Sequence, residues 1–261
     1  MRKRFGGLLC VLIIVSFTII SWKPANGIKS AGSSGGSFTA RELLEKYVDN
    51  VYESAHLEAS SLSFNVFKKA FTGFLNIKQA AKPSQASSIL TVIDFTKSSR
   101  DKRMWIIDVA NKRLVLNTRV AHGEGSGGDI PTRFSDRVDS RESSLGFYIT
   151  DDIYFGEHGR SMRLNGLDAG FNANARKRAI VVHAADYVCD NIINLKGRLG
   201  HSFGCPAVSP EVIDQVLDAI KDKSVIFING NSKRYNSRYL DEELAAHYLA
   251  ADSASNITAS L

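Results

Sequence analysis

Gly200-His201-Ser202-Phe203-Gly204-Cys205-Pro206-Ala207, with His183 standing 22 residues upstream of Cys205, is the most informative stretch of this 261-residue chain. It sets one thiol beside a small-residue turn and supplies a separate histidine to deprotonate it. A cysteine so placed attacks carbonyls, because a nearby base makes its thiolate accessible near neutral pH. Gly204 lets the backbone approach a ligand closely or take a positive φ. Pro206 has no backbone donor, so oxyanion-stabilising amides must come from Phe203, Gly204 and Cys205. The competing roles for Cys205 are a buried small hydrophobe or a disulfide partner of Cys189, 16 residues away.

His183 closes the apolar run Ala179-Ile180-Val181-Val182, which puts it at the tip of a buried strand. A general base must be held rigidly within about 3 Å of the group it deprotonates, and a strand end does that. The alternative is a core histidine bonded to backbone. His201 adjoins the motif, either tuning the thiolate or standing in solvent. His56 and His247 lie in polar helical surroundings and read as surface residues. His122 and His158 each precede a glycine in a loop, and either can line a cleft. His183, Cys189, His201 and Cys205 are zinc-ligand types, but they lack the close paired spacing that sets zinc geometry. No Gly-x-Ser-x-Gly elbow is present for a serine triad.

Outward from the motif, the amino terminus has its own logic. Arg2, Lys3 and Arg4 precede an apolar run from Leu8 to Ile20, and Ala25-Asn26-Gly27 follows. That order, basic then apolar then small, is that of a secretory signal peptide over residues 1–27. The run is short for a membrane-spanning helix, which needs about 20 residues; an uncleaved anchor is the alternative. Cys10 lies inside the run. Residues 1–27 carry four basic residues and no acid, so removing them takes the net charge from +6 to +2. So small a surplus excludes nucleic acid as the expected partner. Two remaining cysteines make no disulfide scaffold.

Residues 28–38 read as a flexible Gly/Ser leader. Thr39 and Glu42 form a capping box that starts a helix through Leu43, Leu44, Tyr47, Val48 and Val51. A second helix from Ser63 carries Phe64, Phe67, Phe71, Phe74 and Leu75 at helical spacing, a core or docking stripe. Together these make a helical segment over 39–80, followed by the linker Lys82–Ser88. Short β-branched runs then predict strands at Ile89–Phe95, Met104–Val109, Arg113–Val120, Leu145–Thr150, Met162–Leu164, Ala179–His183 and Val225–Ile228. The glycine-rich 122–128 stretch follows a strand without a helix behind it, and reads as a mobile surface loop rather than a phosphate cradle. Ser209-Pro210-Glu211 is expected to start a helix with Val212, Ile213, Val216, Leu217 and Ile220 on its buried side. Residues 232–261 are polar and read as a weakly packed tail with some helix around Leu240–Leu249. The fold class expected is α+β: a mainly β catalytic domain over 89–231 preceded by a small helical segment.

With these residues in place, the chain resembles the L,D-transpeptidase (YkuD-type) catalytic domain family, and more narrowly the murein L,D-transpeptidase catalytic domain proteins of Gram-negative bacteria. The family pattern is a His followed later by Ser-x-Gly-Cys. The similarity also takes in Leu116–Gly123, Ser143–Tyr148, His158–Leu164, Ile180–Ala185 and Gly197–Gly200. It implies a β-sandwich-like catalytic domain with Cys205 as nucleophile and His183 as general base. It further implies an oxyanion hole of amides around Phe203, Gly204 and Cys205, each donor contributing about 3–4 kcal/mol. Ser202 would shape the turn, Phe203 and His201 would face substrate, and the Ala184 carbonyl would orient the base. The implied reaction is 3→3 crosslinking of peptidoglycan stem peptides through a thioester that carbapenem-like β-lactams also form. It needs no metal or organic cofactor, and implies a monomer in the periplasm. The more familiar members place His or Arg where Phe203 stands, and a polar pair where Pro206-Ala207 follows. An L,D-carboxypeptidase using the same thioester, or a wall-binding protein with an idle motif, are the alternatives.

Overall fold

Short, continuous apolar runs build the centre of the molecule. The computed structural model of the chain describes residues 39–80 and 87–258; the expected signal peptide, Cys10, the leader and most of the linker lie outside them. Eight strands form one mixed sheet: β1 (Ile89–Asp94), β2 (Met104–Asp108), β3 (Arg113–Thr118), β4 (Gly146–Gly156), β5 (Gly159–Gly166), β6 (Val181–Ala184), β7 (Ala207–Val208) and β8 (Val225–Asn229). Their order is β3-β2-β1-β8-β4-β5-β6-β7. β1 and β8 pair in parallel at the centre, from Leu90 opposite Val225 to Asp94 opposite Asn229. Both are buried on both faces, and their unbroken apolar sequence follows from that.

Alternation along the strands divides the core in two. Leu90, Val92, Trp105, Ile107, Phe147, Val225 and Phe227 face one layer of helices. Ile93, Met104, Ile106, Tyr148, Ile226 and Ile228 face the other way. On the first side lie α1 (Ala40–Ser54) and α2 (Phe64–Ala80). The capping box is present: the Glu42 amide donates to Thr39 Oγ1 (3.2 Å), and the Thr39 amide donates to the Glu42 carboxylate (2.8 Å). Phe67, Phe71 and Phe74 are buried in this layer, so the aromatic stripe of α2 is core.

The carboxyl-terminal segment departs from expectation. Residues 232–261 were expected to be a weakly packed tail, yet α5 (Glu242–Thr258) completes the helical layer, with Ala245, Ala246 and Leu249 buried. The Asn76 side chain donates to the Tyr239 and Asp241 carbonyls, both at 2.8 Å, and Lys68 pairs with Glu242 at 3.3 Å. Alanines supply most of the buried face of α5, so its hydrophobic pattern is faint in the sequence. The opposite layer contains α4 (Ile213–Ile220), with Ile213, Val216, Leu217 and Ile220 buried. It begins after a turn over 209–212, later than the Ser209 start expected, because the Ser209 hydroxyl and carbonyl close that turn. A short helix, α3 (Asp190–Lys196), follows β6. Among the described residues no helix is long and apolar enough to cross a membrane.

Candidate active site

The parallel pair β6–β7 organises the site. His183 lies opposite Ala207 and Ala184 opposite Val208, so the turn carrying Cys205 enters the sheet beside the strand carrying His183. His183 is 3% exposed. Its Nδ1 lies 2.8 Å from the Ala184 carbonyl oxygen. A carbonyl only accepts, so this bond places the ring proton on Nδ1 and leaves the Nε2 lone pair as the basic one. Burial pulls the His183 pKa below its ordinary value, the Ala184 bond opposes this, and the neighbouring His158 adds to the depression.

The turn that carries Cys205 is pinned at several points. Leu199 donates to Ser99 Oγ (3.0 Å), Gly200 to the Tyr187 carbonyl (3.1 Å) and Ser202 to the His122 carbonyl (3.0 Å). Ser202 then staples the turn from inside: its hydroxyl donates to the Cys205 carbonyl (2.6 Å) and accepts from the Gly204 amide (3.1 Å). Gly204 takes φ +123°, which a side chain would strain. The Gly204 amide is thus occupied. Among the described residues the Phe203 and Cys205 amides donate to no protein acceptor.

Cys205 Sγ rests against the start of β6, 3.5 Å from the Val181 amide and 3.7 Å from the Ala179 carbonyl oxygen. Burial raises the thiol pKa, while the Val181 amide and the Arg178 charge lower it. Cys189 and Cys205 are both free, so the disulfide alternative is corrected; Cys189 sits at the head of α3. Among the described residues no three or more His, Cys, Asp or Glu side chains gather as metal ligands. His183 faces His158, and His201 faces His122 at a ring separation of 4.8 Å.

The glycine-rich stretch is a correction to the sequence reading. Far from being a mobile surface loop, it is packed against the turn that carries Cys205. Gly123 bridges to Ser202, Glu124 donates to the Ser202 carbonyl (2.9 Å), and the Ser126 side chain is fully buried, accepting from the Ser143 amide (2.8 Å). Gly123 and Gly125 serve close backbone approach, since a Cβ on either would stand within 2.5 Å of a main-chain oxygen, and Gly127 serves a backbone at φ +131°. Beneath it lies buried Arg103, which donates to the Val120 and Lys97 carbonyls and to His122 Nδ1 (2.8 Å). Burial lowers Arg103 to about 9, still a cation at neutral pH. The same burial, then the Arg103 charge, pulls His122 down to about 3, so His122 is neutral. His201 Nε2 lies 3.0 Å from the Gly128 carbonyl oxygen and 3.1 Å from Arg198 Nη1, so that ring is engaged by the glycine-rich loop and by Arg198.

Two contributors, Arg178 and Arg141, escaped the sequence reading, and a third, His158, was read only as able to line a cleft. His158, at the β4–β5 turn, stacks on His183 with ring centroids 4.3 Å apart. Arg178 donates to the Ser135 and Glu142 carbonyls (2.7 and 2.6 Å) and to the Ser140 and Ser144 hydroxyls, beside Gly204. Arg141 lies over the Phe203 ring at 4.3 Å, and Phe203, two residues before Cys205, is 66% exposed. The positive charge that Phe203 lacks therefore stands on its face.

The profile of the L,D-transpeptidase catalytic domain family matches residues 58–229. Among solved structures, the chain is similar to an L,D-transpeptidase from Mycobacterium smegmatis, at 11% identity and TM-score 0.34 over 56% of this chain and 60% of that one. It is similar also to L,D-transpeptidase 1 of Mycobacterium tuberculosis (13%, TM-score 0.31, 55% and 62%) and to an L,D-transpeptidase from Stackebrandtia nassauensis (8%, TM-score 0.35, 73% and 94%). It spans less than two thirds of the length of the two mycobacterial chains. Comparison with curated protein sequences gave no match. With well over half of its sequence matched, and the match running from the helical layer to the last strand, the chain belongs to the L,D-transpeptidase catalytic domain family.

Proposed function

We propose that this protein transfers acyl groups between peptidoglycan stem peptides, with Cys205 as nucleophile and His183 as base. The observation that carries the reading is the β6–β7 pairing. It sets the Cys205 turn beside a buried histidine whose tautomer leaves Nε2 free to take a proton.

The thiol starts neutral, since burial raises its pKa. Its proton passes to His183 Nε2 as sulfur attacks the carbonyl of the L,D-bond between diaminopimelate and a terminal D-Ala. The developing oxyanion is met by backbone amides, of which those of Cys205 and Phe203 are unspent. The C–N bond breaks, D-Ala leaves with the proton from His183, and a thioester remains. A neighbouring stem's amine then attacks, gives its proton to His183, and displaces sulfur as the restored thiol. The thioester conserves the energy of the cleaved bond, so no nucleotide is consumed. This reading places the enzyme in the periplasm of a Gram-negative bacterium, delivered by the signal peptide expected over 1–27.

Intact-mass spectrometry of the protein with imipenem, beside Cys205→Ala and His183→Ala, tests it. A single adduct is expected, absent in the Cys205 variant and slow in the His183 variant. No adduct on the folded, reduced protein sinks the mechanism. Muropeptide products then separate transfer from hydrolysis.

A further inference from the structure

The β4–β5 hairpin ends in the two-residue connection Glu157-His158, closed by the Gly156–Gly159 pair. The tip is exposed, yet the His158 ring lies flat on that of buried His183, with planes 23° apart and centroids 4.3 Å apart. A stack covers one ring face and leaves the in-plane nitrogens alone. The Ala184 carbonyl engages Nδ1, so Nε2 stays available beneath the cover. The mechanism uses one histidine, and this second ring has no part in it. Holding an exposed side chain in a single pose opposes its rotamer entropy, so the contact needs a compensating gain.

We propose that His158 is a positioning residue: its ring roofs His183, fixes the imidazole plane and keeps water off the face the strand leaves open. The inference rests on His183 being the general base. The ionisable groups around the His183–Cys205 pair are His158 from the hairpin, Tyr187 from the segment after β6, and Arg178 from the segment before it. Of these, Arg178 acts on the thiol and His158 on the imidazole. At the tip itself, Arg160 is held by Asp214 and Asp218 of α4, and Glu157 is exposed. Two stacked imidazolium rings repel, so the roof also favours a neutral His183.

The test uses the full chain with isotope-labelled histidine, its ring signals assigned with His183→Gln and His158→Gln. In the unaltered protein the His183 signal titrates below the ordinary histidine range. In His158→Ala it moves up toward that range, and kcat on muropeptides falls at least about tenfold with little change in KM. His158→Phe restores a ring without a charge and recovers most of the rate. His158 is exposed, so neither change touches the core. A His183 titration identical in His158→Ala and the unaltered protein overturns the proposal. So does a His158→Phe as impaired as His158→Ala, which would make the His158 imidazole itself reactive. Lack of muropeptide turnover by the unaltered protein removes the transpeptidase reading instead, while the titrations still decide the roof.

Discussion

Gly123 and Gly204 touch through their backbones: a Cβ on Gly123 would stand 2.8 Å from Gly204 Cα and 2.4 Å from the Arg141 carbonyl oxygen. Both neighbours are main chain, which cannot rotate aside. Two loops separated by eighty residues of sequence therefore seat one another, and the seat is built beside Cys205.

Gly123 has φ −71°, a value any residue adopts, so Gly123→Ala isolates the steric term. The added methyl must push the nucleophile turn outward. We expect a stability loss of about 1–3 kcal/mol, typical of overpacking, and imipenem acylation of Cys205 slowed at least about tenfold by misplacement. Thermal unfolding and the rate of adduct formation measure the two separately. An alanine variant that acylates at the original rate would show that the loops do not need each other.

Ser202 is the second lever on the same turn. Its hydroxyl satisfies the Cys205 carbonyl and the Gly204 amide together. Ser202→Ala leaves both without that partner and is expected to cost about 1–3 kcal/mol. It also frees the Gly204 amide to wander from its present direction. Ser202→Thr keeps the hydroxyl and should keep most of the acylation rate. Equal rates for the alanine and threonine variants would sink the stapling role.

His122 gives the fold a pH dependence of known sign. Its folded pKa is depressed from 6.5 to about 3, chiefly by burial. Above 6.5 both states are neutral there, and its contribution to stability is fully present. As pH falls from 6.5 the unfolded chain binds the proton and the folded one does not, so stability drops until pH reaches about 3. The slope from this residue is up to about 1.4 kcal/mol per pH unit. His122→Asn retains an acceptor for Arg103 but cannot titrate. Urea unfolding across this window should show a shallower pH slope for the variant. Parallel curves for the two proteins would contradict the assignment.

Much of the sheet was legible because its strands are local statements. β1, β2 and β8 are short apolar runs with flanking turn residues, and each was placed within two residues of its bounds. The Thr39 capping box and the Phe67–Phe71–Phe74 stripe were equally plain. What escaped depends on contacts between distant segments. Gly123 reads as flexible until Gly204 is seen against it. The buried face of α5 is mostly alanine, so helix-period hydropathy is weak there. His158 was read only as able to line a cleft, because its contact with the His183 ring comes from the pairing of β5 with β6. Cys205 and His183 were paired chiefly by the family resemblance, together with residue type, but the direction of the thiol, toward Ala179 and Val181, is set by β6–β7 pairing.

Arg178 makes the last prediction, because its two possible roles separate cleanly. Its guanidinium joins Ser135, Ser140, Glu142 and Ser144, tying the 135–144 segment to the nucleophile turn, and a Cβ on Gly204 would meet Arg178 Nη2 at 3.0 Å. Its charge also favours the Cys205 thiolate against the opposing effect of burial. Arg178→Met removes the charge and the bonds together; Arg178→Lys keeps a charge but cannot fork to several acceptors. Both variants should lose stability, since buried acceptors are left unpaired at about 1–3 kcal/mol each. Only the methionine variant should raise the thiol pKa further. Iodoacetamide alkylation followed against pH, with the Cys205 peptide quantified by mass spectrometry, separates the effects. The profile should shift to higher pH in Arg178→Met and stay near its original position in Arg178→Lys. A profile unmoved by methionine would leave Arg178 as a loop clamp alone, with the Val181 amide as the group that holds the thiolate.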